Sequence, residues 1–138
     1  MGLLLDTGKL FQELTREITP EPIGVAADLD VGTFAELPFV THSSFAAQDG
    51  NGRGLWTVTY TLSLFDGPST AFELADALYT GVHGWDESPT AGVIPGVGGV
   101  ESIINEISAF SQIGGEAQIE SKATVQLTAS WQLAVRKF

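Results

Sequence analysis

The chain has 138 residues, 43% of them hydrophobic, no cysteine, and a net charge of −11 from 17 acidic and 6 basic side chains. That is length enough for one domain with a self-sufficient core, built without disulfides or cysteine-bound zinc, as suits a reducing cytoplasm. So acidic a surface repels phosphate within a Debye length of roughly 8 Å, and the scattered cations offer no patch for gripping nucleic acid.

The opening residues carry a short leucine run at Leu3 to Leu5. No basic stretch precedes it and no small-residue cleavage pattern follows, so it reads as neither a signal peptide nor a membrane span. Leu3, Thr7, Leu10, Leu14 and Ile18 fall on one helical line with Leu4 and Phe11 beside it, which predicts an amphipathic helix over about 3–18, ended by Pro20 and Pro22. Ile23, Val25 and Leu29 offer a short strand. Leu37 to Phe45 reads as a strand opened by Pro38. The overlapping Asp-Gly and Asn-Gly pairs between Asp49 and Gly54 are hairpin chemistry, and the next strand alternates without error: Trp56, Val58, Tyr60, Leu62 and Leu64 on one side, threonines and Ser63 on the other.

Asp66, Gly67 and Pro68 break that strand, and a helix over 70–82 follows. Thr70 and Glu73 have the spacing of a capping box, and Ala71, Leu74, Ala75, Leu78 and Val82 line its apolar stripe. From Gly84 to Gly99, glycines and prolines predict an irregular, functional loop. Its Trp85 is either a lid over the core or an interface anchor. The segment 100–113 is ambiguous: Val100, Ile103, Ile104, Ile107 and Phe110 lean helical, while the isoleucines and flanking glycines permit a strand. Ile119 to Val135 then alternates over seventeen residues. Straight, such a strand would measure about 55 Å, against about 35 to 40 Å for a domain of this size. It must bend sharply or reach beyond its own subunit, and it contains no glycine or bulge signal for bending.

Candidate chemistry is thin. His42 and His83 are the only histidines, and neither a G-x-S-x-G elbow nor an H-E-x-x-H pair is present. The Asp49 to Gly54 run matches three positions of a calcium loop but has Tyr60 where the bidentate glutamate belongs, and a strand follows it where a phosphate site needs a helix N-terminus. Gly96 to Gly99 is too short for a dinucleotide fingerprint. The acidic pairs Asp28/Asp30 and Asp86/Glu87 read as solvated loops. No catalytic residue, cofactor or metal site is expected, and the reading is not an enzyme.

The order of elements, the Leu37-Pro38-Phe39-Val40 strand, the helix start at Thr70 to Asp76, the Gly96-Val97-Gly98 turn before an isoleucine-rich segment, and the closing apolar strand with Arg136 resemble the tail terminator proteins of long-tailed bacteriophages, particularly those of actinobacteria. The resemblance spans residues 1–138 and implies one α+β domain with a mostly antiparallel sheet packed against two or three helices. It implies a strand over 100–113. It also implies a structural virion protein assembled in the host cytoplasm: a homohexameric ring that caps the tail tube, contacts the major tail tube protein and the head-to-tail connector proteins, and lets DNA pass through its lumen without specific binding or any membrane contact. No single residue is carried over from the family; the apolar Trp85, Val93 and Ile94 of the 84–99 loop, with Asp49 and Arg53 of the glycine-rich turn, are the expected interface residues. A connector or head-closure role is the alternative within the joint. A small-ligand module with a pocket lined by Trp56, Tyr60 and Trp131 is the alternative from another class.

Overall fold

The computed structural model describes residues 4–27, 37–48, 54–88, 90–113, 117–119 and 122–137. The elements, in order, are α1 (Thr7–Ile18), β1 (Gly24–Ala27), β2 (Phe39–Gln48), β3 (Leu55–Asp66), α2 (Ala71–His83), β4 (Val93–Ile94), β5 (Gly98–Gln112), β6 (Ala117–Ile119) and β7 (Lys122–Lys137). Six strands run β1-β2-β3-β7-β5-β4 across one curled sheet, and β6 pairs with β7. All pairs are antiparallel except β1 with β2. This is an α+β domain with both described helices on one face. No described helix is long and apolar enough to cross a membrane.

Alternation decides which face is dry. Val58, Tyr60, Leu62 and Leu64 of β3 stand opposite Leu133, Trp131, Ala129 and Leu127 of β7, and all eight are buried. α1 lays Leu10, Phe11 and Leu14 over this face, and α2 adds Ala71, Leu74, Leu78 and Val82. Burial on this scale, about 1.5–3 kcal/mol per large apolar side chain, is what holds the domain. Phe11 stacks on Tyr60 with centroids 4.6 Å apart, and Trp131 lies 6.0 Å from Tyr60. The space that a ligand pocket between Trp56, Tyr60 and Trp131 would need is therefore filled by α1. The Tyr60 hydroxyl shares a 2.6 Å hydrogen bond with Thr15, and burial pushes its pKa well above the ordinary tyrosine value.

Helix ends differ from their sequence reading in detail. Asp6 caps α1 by accepting from the Lys9 N–H at 3.0 Å. Leu4, expected beside the apolar stripe, is exposed, and Leu3 lies outside the described residues. At α2 the Thr70 hydroxyl makes no cap bond to the helix; it donates to Asp66 Oδ2 at 2.8 Å, while Asp66 Oδ1 accepts from the Gly67 N–H at 2.7 Å. The turn between β3 and α2 is thus held by Asp66 rather than by a capping box.

One expectation about the long strands is corrected and one ambiguity is resolved. The seventeen-residue alternation is not one strand: Ile119 pairs antiparallel with Lys122, so the run is divided into β6 and β7, with 120–121 outside the described residues. And the segment 100–113, helical by its periodicity and strand by resemblance, is strand. Its register against β7 shifts four times, between Val100 and Ser102, Ile103 and Asn105, Glu106 and Ser108, and Ser108 and Ser111. Each shift leaves β5 with surplus chain, which is how an antiparallel pair bends and twists.

Candidate assembly interface

Of the expected interface residues, Trp85 is displaced most clearly. It is 3% exposed and packs inward, 6.0 Å from the Phe11 ring and 5.5 Å from the Tyr60 ring. The lid alternative is the one observed, because the chain closes tightly over it. Gly92 takes φ +63, and a Cβ there would meet the Trp85 Cβ at 2.8 Å. The Gly92 carbonyl accepts from the Val100 N–H at 2.9 Å. Val93 and Ile94 are half-buried and form β4, paired with Gly99 and Gly98. The stretch 84–99 is thus a pinned cover with a short strand rather than an irregular loop. Asp49 and Arg53 lie outside the described residues. Of the three described positions, Trp85 is buried and Val93 and Ile94 are half-buried, so they form no exposed anchor surface.

Val93 instead borders an open cleft of about 510 Å3, lined also by Asp86, Glu87, Ser88, Glu101 and Arg136. Three of its charges are engaged locally. Arg136 Nε donates to Glu101, which raises the arginine pKa further, and Asp86 Oδ2 accepts from the Ile103 N–H at 3.2 Å. A second polar group ties α2 to β5: Glu106 Oε1 accepts from Trp131 Nε1 at 3.3 Å and lies 3.0 Å from His83 Nε2. The Tyr79 hydroxyl is the largest influence holding the Glu106 carboxyl below its ordinary range; partial burial opposes it, and His83 and Trp131 add to the lowering. Among the described residues no group of three or more His, Asp or Glu is placed to hold a metal.

The surface that sequence reasoning missed lies on β5. Where a normal strand has two rows of side chains, the register shifts give this one three. Val100, Ile103 and Glu106 pair with the core-facing Val135, Leu133 and Trp131, and Ser102, Asn105 and Ser108 pair with the outward Ala134, Gln132 and Ser130. Between them fall the unpaired Glu101, Ile104 and Ile107. Ile104 is 51% and Ile107 53% exposed, at the sheet edge beyond the two-residue reach of β4. A strand with repeated bulges cannot offer a regular ladder to an added strand, so this edge is protected from strand addition while its isoleucines stay presented. Nearby, Phe72, Ala75, Tyr79, Ala109 and Phe110 line a shallow groove of about 210 Å3 between α2 and β5. The isoleucine spacing was visible in the sequence, but as a helical stripe.

No protein-family model matches this chain, and a search of curated proteins finds no match.

Proposed function

We propose that the protein is a structural virion subunit of the tail-terminator kind: copies close into a ring, six by the resemblance, that caps the completed tail tube and presents a surface to the head. The observation that carries this reading is the bulged row of β5. Two isoleucines held half-exposed at a sheet edge serve no purpose in folding one subunit, and rows of exposed apolar side chains on an otherwise acidic protein mark contact with another protein. The row replaces Trp85 as the anchor for the tail tube or the head-side neighbour. The charge of −11 suits a ring that DNA traverses without adhering.

The test is reconstitution. Purified protein should sediment several times heavier than 14.6 kDa and, mixed with tail tubes, appear by negative-stain microscopy at one end of each. Ile104→Ser/Ile107→Ser should keep the subunit's melting temperature yet fail to restore infectivity in a complementation assay. Binding to the head vertex and not to tube ends would move the protein to the connector position. A monomer at every concentration that binds neither would refute the ring.

A further inference from the structure

Among the described residues, the sheet face turned away from the helices carries charge only at its end. Where β2, β3, β7 and β5 lie side by side, its positions hold serine, threonine, alanine, asparagine, glutamine and Phe45. Among side chains described, the one charge in line with it is Arg136 at its end, already paired with Glu101. The described acids of the helical side are elsewhere: Glu13 and Glu17 on α1, Glu73 and Asp76 on α2, Asp86 and Glu87 just after it. A sheet face meant for water carries charge, since about 25–35% of a soluble protein's surface positions are Lys, Arg, Glu or Asp. Here the described side chains place one charge on that face of four strands, Arg136 at its end.

Two pairs of hydroxyls on this face bond each other before anything docks. Thr61 Oγ1 and Ser130 Oγ are 2.9 Å apart, as are Ser63 Oγ and Thr128 Oγ1. Cross-strand bonding of this kind lowers the cost of removing water at these four positions. Phe45, 66% exposed on β2, adds a large apolar side chain that the subunit's own core does not use.

We propose that this face is where a second copy of the chain docks. The occupant follows from charge: two subunits of −11 repel over their helical sides, and an uncharged patch is where they can meet at contact distance. At sheet spacings the open part of the face projects to roughly 450 Å2 per copy. About 900 Å2 for the pair lies at the low end of specific interfaces, so a single contact is reversible and closure into a larger assembly is what makes it durable. The inference rests on the ring reading for the number of copies but not for the contact itself. It leaves the isoleucine row of β5 free for a different partner.

The absence of native cysteine supplies the experiment. Ser43→Cys and Ser108→Cys place single thiols on the exposed outer face with nearly unchanged size, and Ser69→Cys, in the turn before α2, is the control. As concentration rises, maleimide labelling at 43 and 108 should slow about tenfold once the free fraction falls to about a tenth, while labelling at 69 holds steady. Thr59→Glu should weaken association in sedimentation without lowering the melting temperature, and Thr59→Val should preserve association. Equal labelling at all three sites in an assembled sample, or wild-type assembly by Thr59→Glu, overturns the proposal. A ring with reactive outer-face thiols would keep the ring reading and sink this contact. A dimer with protected thiols would do the reverse, and a monomer at all concentrations refutes both.

Discussion

Trp85 gives the sharpest test of the packing, because its sequence reading as a surface anchor and its place in the structure predict opposite outcomes for one substitution. A fully buried tryptophan removes about 150–250 Å2 from water, worth about 4–6 kcal/mol. Against this stands its indole N–H, which has no hydrogen-bond partner among the described residues, a cost of about 1–3 kcal/mol. The difference predicts that Trp85→Ala destabilises by about 3 kcal/mol, and more if the cavity beside Phe11 and Tyr60 fails to collapse. Trp85→Phe keeps most of the apolar area and removes the orphan donor, so it should fall within about 1 kcal/mol of wild type. Urea melts followed by circular dichroism measure both. A surface anchor would give a loss under about 1 kcal/mol for Trp85→Ala with an unchanged m value, and that result would refute the lid.

Three further outcomes follow from the same coordinates. Glu106 is held below its ordinary pKa, so it stabilises the fold at neutral pH, and that increment disappears as pH falls below about 4.5 through the lowered value. Glu106→Gln should show a shallower acid loss in calorimetry; identical acid slopes would mean that the Tyr79, His83 and Trp131 contacts do not favour the ionised form. Gly81→Ala should lower the melting temperature although alanine favours a helix by about 1 kcal/mol, because the new Cβ would sit 2.5 Å from the Ile18 Cβ and overpacking costs about 1–3 kcal/mol. Association should strengthen with salt and weaken on dilution at low salt, since −11 per subunit must be screened; an oligomer that dissociates as salt rises would mean ion pairs hold it.

What the sequence disclosed depended on whether a strand kept period two. β3 and β7 each bury one face under the helices, so alternation named Val58, Tyr60, Leu62, Leu127, Trp131 and Leu133 as core, and the stripe of α1 named Leu10 and Leu14. β5 broke the rule physically. Its register shifts space Val100, Ile103 and Glu106, the residues paired with core-facing partners on β7, three apart, and a period near three passes for a helix. The divide between β6 and β7 was hidden differently, because the sequence keeps its alternation through the point where Ile119 and Lys122 come to pair. Trp85 was misplaced because glycine and proline content marks a segment as irregular without saying how closely it can lie on the core. The close approach at Gly92 emerges only in three dimensions.

The bulges resolve the length problem that the last strand posed. Even without Ile119, the sixteen residues of β7 would measure about 53 Å if straight. The sequence offers a sharp bend or a reach beyond the subunit, and β7's own residues hold no glycine or bulge signal that would favour the bend; bending, however, belongs to a pair of strands. β7 keeps unbroken register with β3 from Val125 to Arg136, and all four shifts fall where it meets β5. Its first residues, Lys122 to Thr124, run past the end of β3 and pair only with β6. β5 therefore carries the surplus residues that let the sheet curl about the helices, and among those residues are Ile104 and Ile107. Curvature and exposed apolar row thus have one cause. A deletion that removed Ile104 or Ile107 would flatten the sheet as well as strip the surface, so the serine substitutions, which leave the backbone register intact, are the ones that separate shape from contact.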